Sequence, residues 1–162
     1  MQKVVITGHD LTVDQIIAVC REGAEVVLSD ESREKILASR QVVNELVEER
    51  KVVYGITTGF GKFSDVVISQ DECKLLQKNL IITHAVGAGD PFKEDIARGI
   101  LLLRVNSLSN GFSGICLETV ETMIAMLNKG VTPFIPEKGS LGASGDLAPL
   151  SHMVLPMIGL GM

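Results

Sequence analysis

The sequence predicts a mainly α-helical fold with a small β component near the N-terminus. Three observations carry this expectation. Two short stretches suited to strands, Val4-Val5-Ile6 and Glu25 to Leu28, both fall within the first thirty residues. Later segments carry helix-start signals followed by apolar residues at helical spacing. Glycine and proline gather between those segments and mark loops.

The elements follow in order. After the first strand, Thr12 is placed to cap a helix, with Gln15 three residues on completing a capping box and Gly23 ending it. Beyond the second strand, Asp30, Glu31 and Glu34 suit the positive end of a helix running to about Glu49. Ile36, Val43, Leu46 and Val47 form its apolar face. The run YGITTGFGKFSD, with Gly55, Gly59 and Gly61, has no helical period and reads as a loop. Ser69 with Glu72 opens a helix through about Ala85. Asp90-Pro91 is expected to start the next, with proline at the first helical position and an end near Gly111. Ser113 is expected to cap a helix that closes at Gly130. The segment VTPFIPEKGSLGASG reads as irregular, and a further helix opens at Asp146 with Pro149 tolerated in its first turn. No internal repeat or linker divides the chain, which reads as one domain or one part of a larger one.

Composition narrows the function classes. The chain has 162 residues, 46% hydrophobic and 22% charged, with a net charge of −5. These are globular values. No basic cluster offers a footprint for nucleic acid. No apolar run approaches the roughly 20 residues of a membrane span, and the N-terminus lacks a signal peptide's basic-then-apolar order. Cys20, Cys73 and Cys116 lie far apart without metal-ligand spacing. They read as reduced residues of a cytoplasmic protein, with no metal site. The uncharged tail Pro156 to Met162 is expected to continue into further chain, and the apolar stretch Val154 to Met162 is expected to drive self-association.

The stretch GSLGASGDLAPLSH is the chemically unusual one. Gly, Ala and Ser bury little surface, so packing explains Gly142-Ala143-Ser144-Gly145 poorly. One reading is backbone condensation. The amide nitrogen of Gly145 attacks the carbonyl carbon of Ala143, and loss of water and of the Ser144 hydroxyl leaves a methylidene-imidazolone, an electrophile that ordinary side chains lack. Glycine does not obstruct the compressed turn, serine supplies the departing oxygen, and a helix opening at Asp146 aims its positive end at the ring. The competing reading is a Gly/Ser turn capping that helix. The spacing GxxGxxG is no phosphate loop, because it has no lysine and no preceding strand. It is no nucleophile elbow either, because Ser144 runs directly into Gly145.

Two further residues have paired readings. Tyr54, the only tyrosine, leads the glycine-rich loop and reads either as a proton-transfer group or as packing at a loop edge. His84, in LIITHAVGAG, reads as a structural histidine near a helix end or as a polar group recognising substrate. His152 falls two turns after Ser144. His9 lies in an N-terminal turn and is assigned no role.

The segments VVYGITTGFGKFSD, LQKNLIITHAVGAG, LLRVNSLSNGFSG and GSLGASGDLAPLSHM, in this order and spacing, closely resemble the motifs of the aromatic amino acid ammonia-lyases. The resemblance runs from about Ile6 to the end. It implies the N-terminal part of the fumarase/aspartase-like helical fold, with residues 1–162 a single N-terminal lyase domain that stops before a central helical bundle. It implies elimination of ammonia from an amino acid through the autocatalytic methylidene-imidazolone (MIO) of Ala143-Ser144-Gly145, with no external cofactor. Tyr54 would be the base, Asp146 would assist ring formation, and Gly61, Thr83 and His84 would bind substrate. The pair at Thr83-His84 is closest to the Ser-His of the family's histidine enzymes, which points to L-histidine and urocanate in histidine catabolism. Phenylalanine or tyrosine lyase activity, aminomutase activity and a non-catalytic short paralogue that binds full-length subunits are the alternatives. A homotetramer with shared active sites is implied, and the isolated piece is expected to be inactive. Thr57 departs from the family's usual Asn in that loop.

Overall fold

A computed structural model of the chain describes residues 2–59 and 70–161, the side chains of 70–74 apart. Its described elements run β1 (Lys3–Ile6), α1 (Val13–Arg21), β2 (Glu25–Leu28), α2 (Asp30–Glu48), α3 (Gln70–His84), β3 (Ala88–Pro91), α4 (Glu94–Leu108), α5 (Leu117–Asn128), β4 (Pro136–Lys138) and α6 (Leu147–Val154), with a 3-10 turn at Leu155–Ile158. The helical fold class is as expected.

Strands β1 and β2 pair in parallel, with Val4 opposite Val26 and Ile6 opposite Leu28. Parallel neighbours need a crossover, and α1 supplies it. Side chains alternate across a strand, so Val4, Ile6, Val26 and Leu28 all point into the core. The capping box forms as the sequence predicts. The Gln15 amide donates to Thr12 Oγ1 at 3.3 Å, and the Thr12 amide donates to Gln15 Oε1 at 2.9 Å. Helix α2 is capped by Ser29, whose hydroxyl oxygen accepts from the Ser32 amide at 3.1 Å. Of its expected apolar face, Ile36 is fully buried and Val43, Leu46 and Val47 are half-buried.

The exposed edge of β2 is closed by a side chain. Asn128, at the end of α5, accepts from the Val26 amide at 2.8 Å and donates to the Val26 carbonyl at 2.9 Å. Its carboxamide therefore stands in for a neighbouring strand. Helix α4 packs between α1 and α5. From it the buried Arg98 donates to the Val19 carbonyl at 3.0 Å and the Leu127 carbonyl at 3.2 Å. Both carbonyls lie in last turns, where a helix presents partial negative charge, and the Leu127 carbonyl also accepts from the Gly130 amide at 3.3 Å, so one guanidinium bridges two helix ends. Leu101, Leu102 and Val105 of α4, Val120 of α5, Ile135 and Met153 complete one continuous core with the sheet.

Three expectations need correction. Asp90-Pro91 does not open a helix. Pro91 ends β3, which pairs antiparallel with β4, Ala88 opposite Lys138 and Pro91 opposite Pro136. Proline is tolerated in so short an edge pairing, and α4 starts after Lys93 with Glu94 and Asp95 in its first turn. The β component is therefore not confined to the N-terminus, and the segment read as irregular before the triplet contains β4. Ser113 does not cap α5, which begins after Cys116. Gly114 intervenes at a φ of 65°, where an added Cβ would lie 2.3 Å from Val43 Cγ2. That close approach to α2 delays the helix. The expected Ser69 cap lies outside the described residues.

Candidate active site

Helix α3 ends at His84. Its Nδ1 lies 2.8 Å from the Leu80 carbonyl oxygen one turn back. A carbonyl only accepts, so Nδ1 carries the hydrogen, and in the neutral ring Nε2 is left as an acceptor. The Thr83 hydroxyl donates to the same Leu80 carbonyl at 3.1 Å and stands 3.3 Å from His84 Nδ1. Thr83 thus shares the contact that orients the histidine ring.

Three residues beyond His84, the chain turns into β3 and runs beside β4, which leads directly into the triplet. The two segments close tightly at Gly87 and Gly139. A Cβ on Gly139 would stand 3.0 Å from Gly87 Cα, and a Cβ on Gly87 would stand 3.0 Å from both Pro136 and His152 Nε2. The Gly87 amide donates to His152 Nε2 at 2.9 Å. Helix α6, which opens right after the triplet, is thereby tied to the segment that carries His84.

Ala143, Ser144 and Gly145 occupy a turn, with Ala143 and Ser144 exposed and Gly145 half-buried. Gly142 has φ 90° and Gly145 φ 72°, both in the left-handed region that glycine tolerates. The Ser140 hydroxyl donates to the Gly145 carbonyl at 2.6 Å. A Cβ at Gly145 would meet Ser140 Oγ at 2.8 Å, so a side chain there would displace the Ser140 hydroxyl as well as strain the backbone. Asp146 follows at the N-terminal cap position of α6 without a side-chain capping bond. It lines a groove of about 680 Å³ whose apolar wall includes Ile81, Met123, Leu150, Met153 and Met157.

Tyr54 stands on a separate turn, its side chain 62% exposed. The turn is held from within by two buried threonines. Thr57 Oγ1 accepts from the Val53 amide at 2.9 Å and donates to the Lys51 carbonyl at 2.5 Å. Thr58 Oγ1 accepts from the Gly55 amide at 3.3 Å and donates to the Gly59 carbonyl at 3.0 Å. Thr57 therefore has a packing role of its own in the loop. The strand pairing that joins His84 to the triplet does not include this turn. Gly61 lies outside the described residues.

Sequence reasoning missed Ser140, Thr58 and the partner of His152, and it marked Thr57 only as a departure from the family's loop. Burial lowers the basicity of the His152 imidazole below its ordinary value, which suits a ring that accepts from an amide. Its position two turns past the triplet was a signal of location but not of partner. Cys20 and Cys116 are free thiols, and burial raises the pKa of Cys20. Among the described residues no group of His, Cys, Asp and Glu is arranged to hold a metal ion, and no helix is long and apolar enough to cross a membrane.

The sequence pattern of the family described as aromatic amino acid lyase matches residues 11–162. The chain belongs to the aromatic amino acid lyase family. It is 62% identical over 161 residues to the histidine ammonia-lyase of Caldanaerobacter subterraneus subsp. tengcongensis, covering 99% of this chain and 32% of that relative. The chain thus spans about a third of the length of the curated relatives it matches. The crystal structure of histidine ammonia-lyase from Trypanosoma cruzi superposes with a TM-score of 0.88 at 42% identity, over 98% of this chain and 30% of that one. Tyrosine aminomutase from Streptomyces globisporus superposes at 0.90 with 37% identity, over 98% and 30% of the two chains.

Proposed function

We propose that the whole protein is an ammonia-lyase that converts L-histidine to urocanate and ammonia, and that residues 1–162 form its N-terminal domain. The observation that most supports this is the pairing of β3, which follows His84, with β4, which precedes the Ala143-Ser144-Gly145 turn. The turn suits the condensation of its own backbone into the MIO ring. It is tight, Gly142 and Gly145 take left-handed conformations, and a side chain at Gly145 would displace the Ser140 hydroxyl. Once formed, the ring supplies an electrophile toward the substrate's amino group.

The chain's own residues do the rest. His84 Nε2 accepts a hydrogen bond from the N–H of the substrate imidazole, and Thr83 acts through His84 by sharing its orienting contact. Tyr54 takes the β-proton. The electrons of that C–H bond become the Cα–Cβ double bond as the C–N bond breaks and ammonia departs. Asp146 assists ring closure from the start of α6, where the helix's positive end also favours developing negative charge. The family resemblance gives Gly61 a part in substrate binding as well. Assembly as a homotetramer belongs to the same reading, and the apolar groove beside Asp146 supports burial of further protein there.

The decisive experiment incubates the purified whole protein with L-histidine, L-phenylalanine and L-tyrosine separately and follows product absorbance. Urocanate from L-histidine alone is expected, with a loss of at least roughly a thousandfold in Ser144→Ala. Activity that survives that substitution refutes the mechanism. A second reading, an aminomutase, is favoured by the likeness to the Streptomyces enzyme. Formation of a β-amino acid from L-tyrosine would establish it instead.

A further inference from the structure

We infer that His152, which the proposed chemistry does not use, is a positioning residue: by accepting the Gly87 amide it fixes where His84 stands relative to the Ala143-Ser144-Gly145 turn. The inference rests on the proposed histidine-binding role of His84.

Helix α3 packs on α6 and β3 pairs with β4, but the stretch between His84 and β3 has a polar anchor of its own. The β3–β4 ladder is short and its register shifts between Ala88 and Pro91. Gly87 precedes that ladder and follows His84 by three residues, so its position is set by what its amide meets. That partner is a side chain 65 residues away at 2.9 Å. The contact is also closed to substitution from the other side, since a Cβ on Gly87 would crowd His152 Nε2 and Pro136 at 3.0 Å. His152 is held in turn by α6, where its neighbours Ser151 and Met153 are buried. The link therefore runs from the triplet through a helix of eight residues to the backbone beside His84. A neutral imidazole accepts at Nε2 and keeps its hydrogen at Nδ1. Glutamine can place a carbonyl oxygen near the Nε2 position, and leucine cannot accept at all.

The test compares His152→Leu and His152→Gln in the whole protein. In His152→Leu, KM for L-histidine should rise about tenfold while kcat changes by less than about threefold, because recognition at His84 is displaced and the ring-bearing turn is not. His152→Gln should recover most of the KM. Amide exchange at Gly87 should accelerate in the leucine variant and stay slow in the glutamine variant. An unchanged KM, a fall confined to kcat, or a failure of glutamine to rescue overturns the positioning role. If the wild-type protein does not act on L-histidine, the functional reading fails separately. Imidazole then serves as the probe, titrated against the nitrogen resonances of His84. Binding that is the same in wild type and His152→Leu overturns the inference, and binding weakened about tenfold in the leucine variant supports it.

Discussion

The Ser140 hydroxyl bridges the candidate ring-forming turn by donating to the Gly145 carbonyl at 2.6 Å. This bond closes the loop at the one residue whose amide nitrogen would attack Ala143. Condensation within a backbone is slow unless the reacting atoms are held near contact, so a clamp on Gly145 lowers the entropic part of the barrier. Ser140→Ala is expected to slow ring formation in the whole protein by roughly tenfold, and Ser140→Thr should do less harm. Intact mass reads the outcome directly, because cyclisation removes two waters. Equal ring content in freshly made wild type and Ser140→Ala would contradict the clamp.

A second expectation concerns Thr57. Its hydroxyl holds Lys51 and Val53 together beneath the Tyr54 turn while the residue is 7% exposed. Thr57→Val keeps the shape and removes both bonds, so the half-buried Val53 and the exposed Lys51 lose their shared partner, at a cost of about 0.5–1.5 kcal/mol to the turn. With Tyr54 as the base, the loss should appear mainly in kcat. Thr57→Asn offers a longer amide to the same partners and should retain more activity than valine. Steady-state kinetics on the three proteins check the order threonine, asparagine, valine.

Most helices and the first sheet were legible because their signals are local. Thr12 and Gln15 satisfy each other within one turn, and the alternation of Val4 and Ile6 needs only a core on one side. Strands β3 and β4 were not legible, because Ala88–Pro91 and Pro136–Lys138 carry none of the usual strand composition and exist only through each other. The start of α5 was misplaced because Gly114 answers to Val43 in another helix. The triplet was visible as residues, but the meeting of the chain after His84 with the chain around the triplet depends on the β3–β4 pairing and on His152 meeting Gly87, neither of which has a sequence period.

The edge of β2 gives a stability test. Asn128→Ala removes the carboxamide that pairs both ways with the buried Val26 backbone. Two backbone groups then lose their partners, and a loss of roughly 2–3 kcal/mol is expected. Asn128→Asp keeps the acceptor for the Val26 amide but sets a carboxylate against the Val26 carbonyl, so it should rescue little. Urea unfolding of the variants measures this, and an alanine variant within about 0.5 kcal/mol of wild type would refute the edge-closing role.

Two glycines with the same conformation separate strain from crowding. Gly23 and Gly111 both have φ 72°, but an added Cβ at Gly23 meets nothing within 4 Å, whereas at Gly111 it would stand 2.6 Å from the Lys35 backbone. Gly23→Ala should cost about 1 kcal/mol, the price of a left-handed alanine. Gly111→Ala must also push α2 away and should cost roughly 2–4 kcal/mol. Comparable losses at the two sites would mean that the contact with α2 yields easily.

Acidification should loosen the joint at His152. Burial lowers the pKa of this histidine from its ordinary value of 6.5, and no charged neighbour contributes to the shift. The folded protein therefore binds the proton less readily than the unfolded chain. As pH falls below about 6.5, the unfolded state takes up a proton that the folded state resists, so stability declines until the lowered folded pKa is reached and then levels. Above that window the group contributes no slope. Its largest possible slope is about 1.4 kcal/mol per pH unit. Protonation also replaces the Nε2 lone pair with a hydrogen, which turns the acceptor for Gly87 into a donor facing a donor. Unfolding measured between pH 5 and 8 should show this decline in wild type and a smaller one in His152→Gln, whose carbonyl does not titrate. Identical slopes in the two proteins would place the acid sensitivity elsewhere.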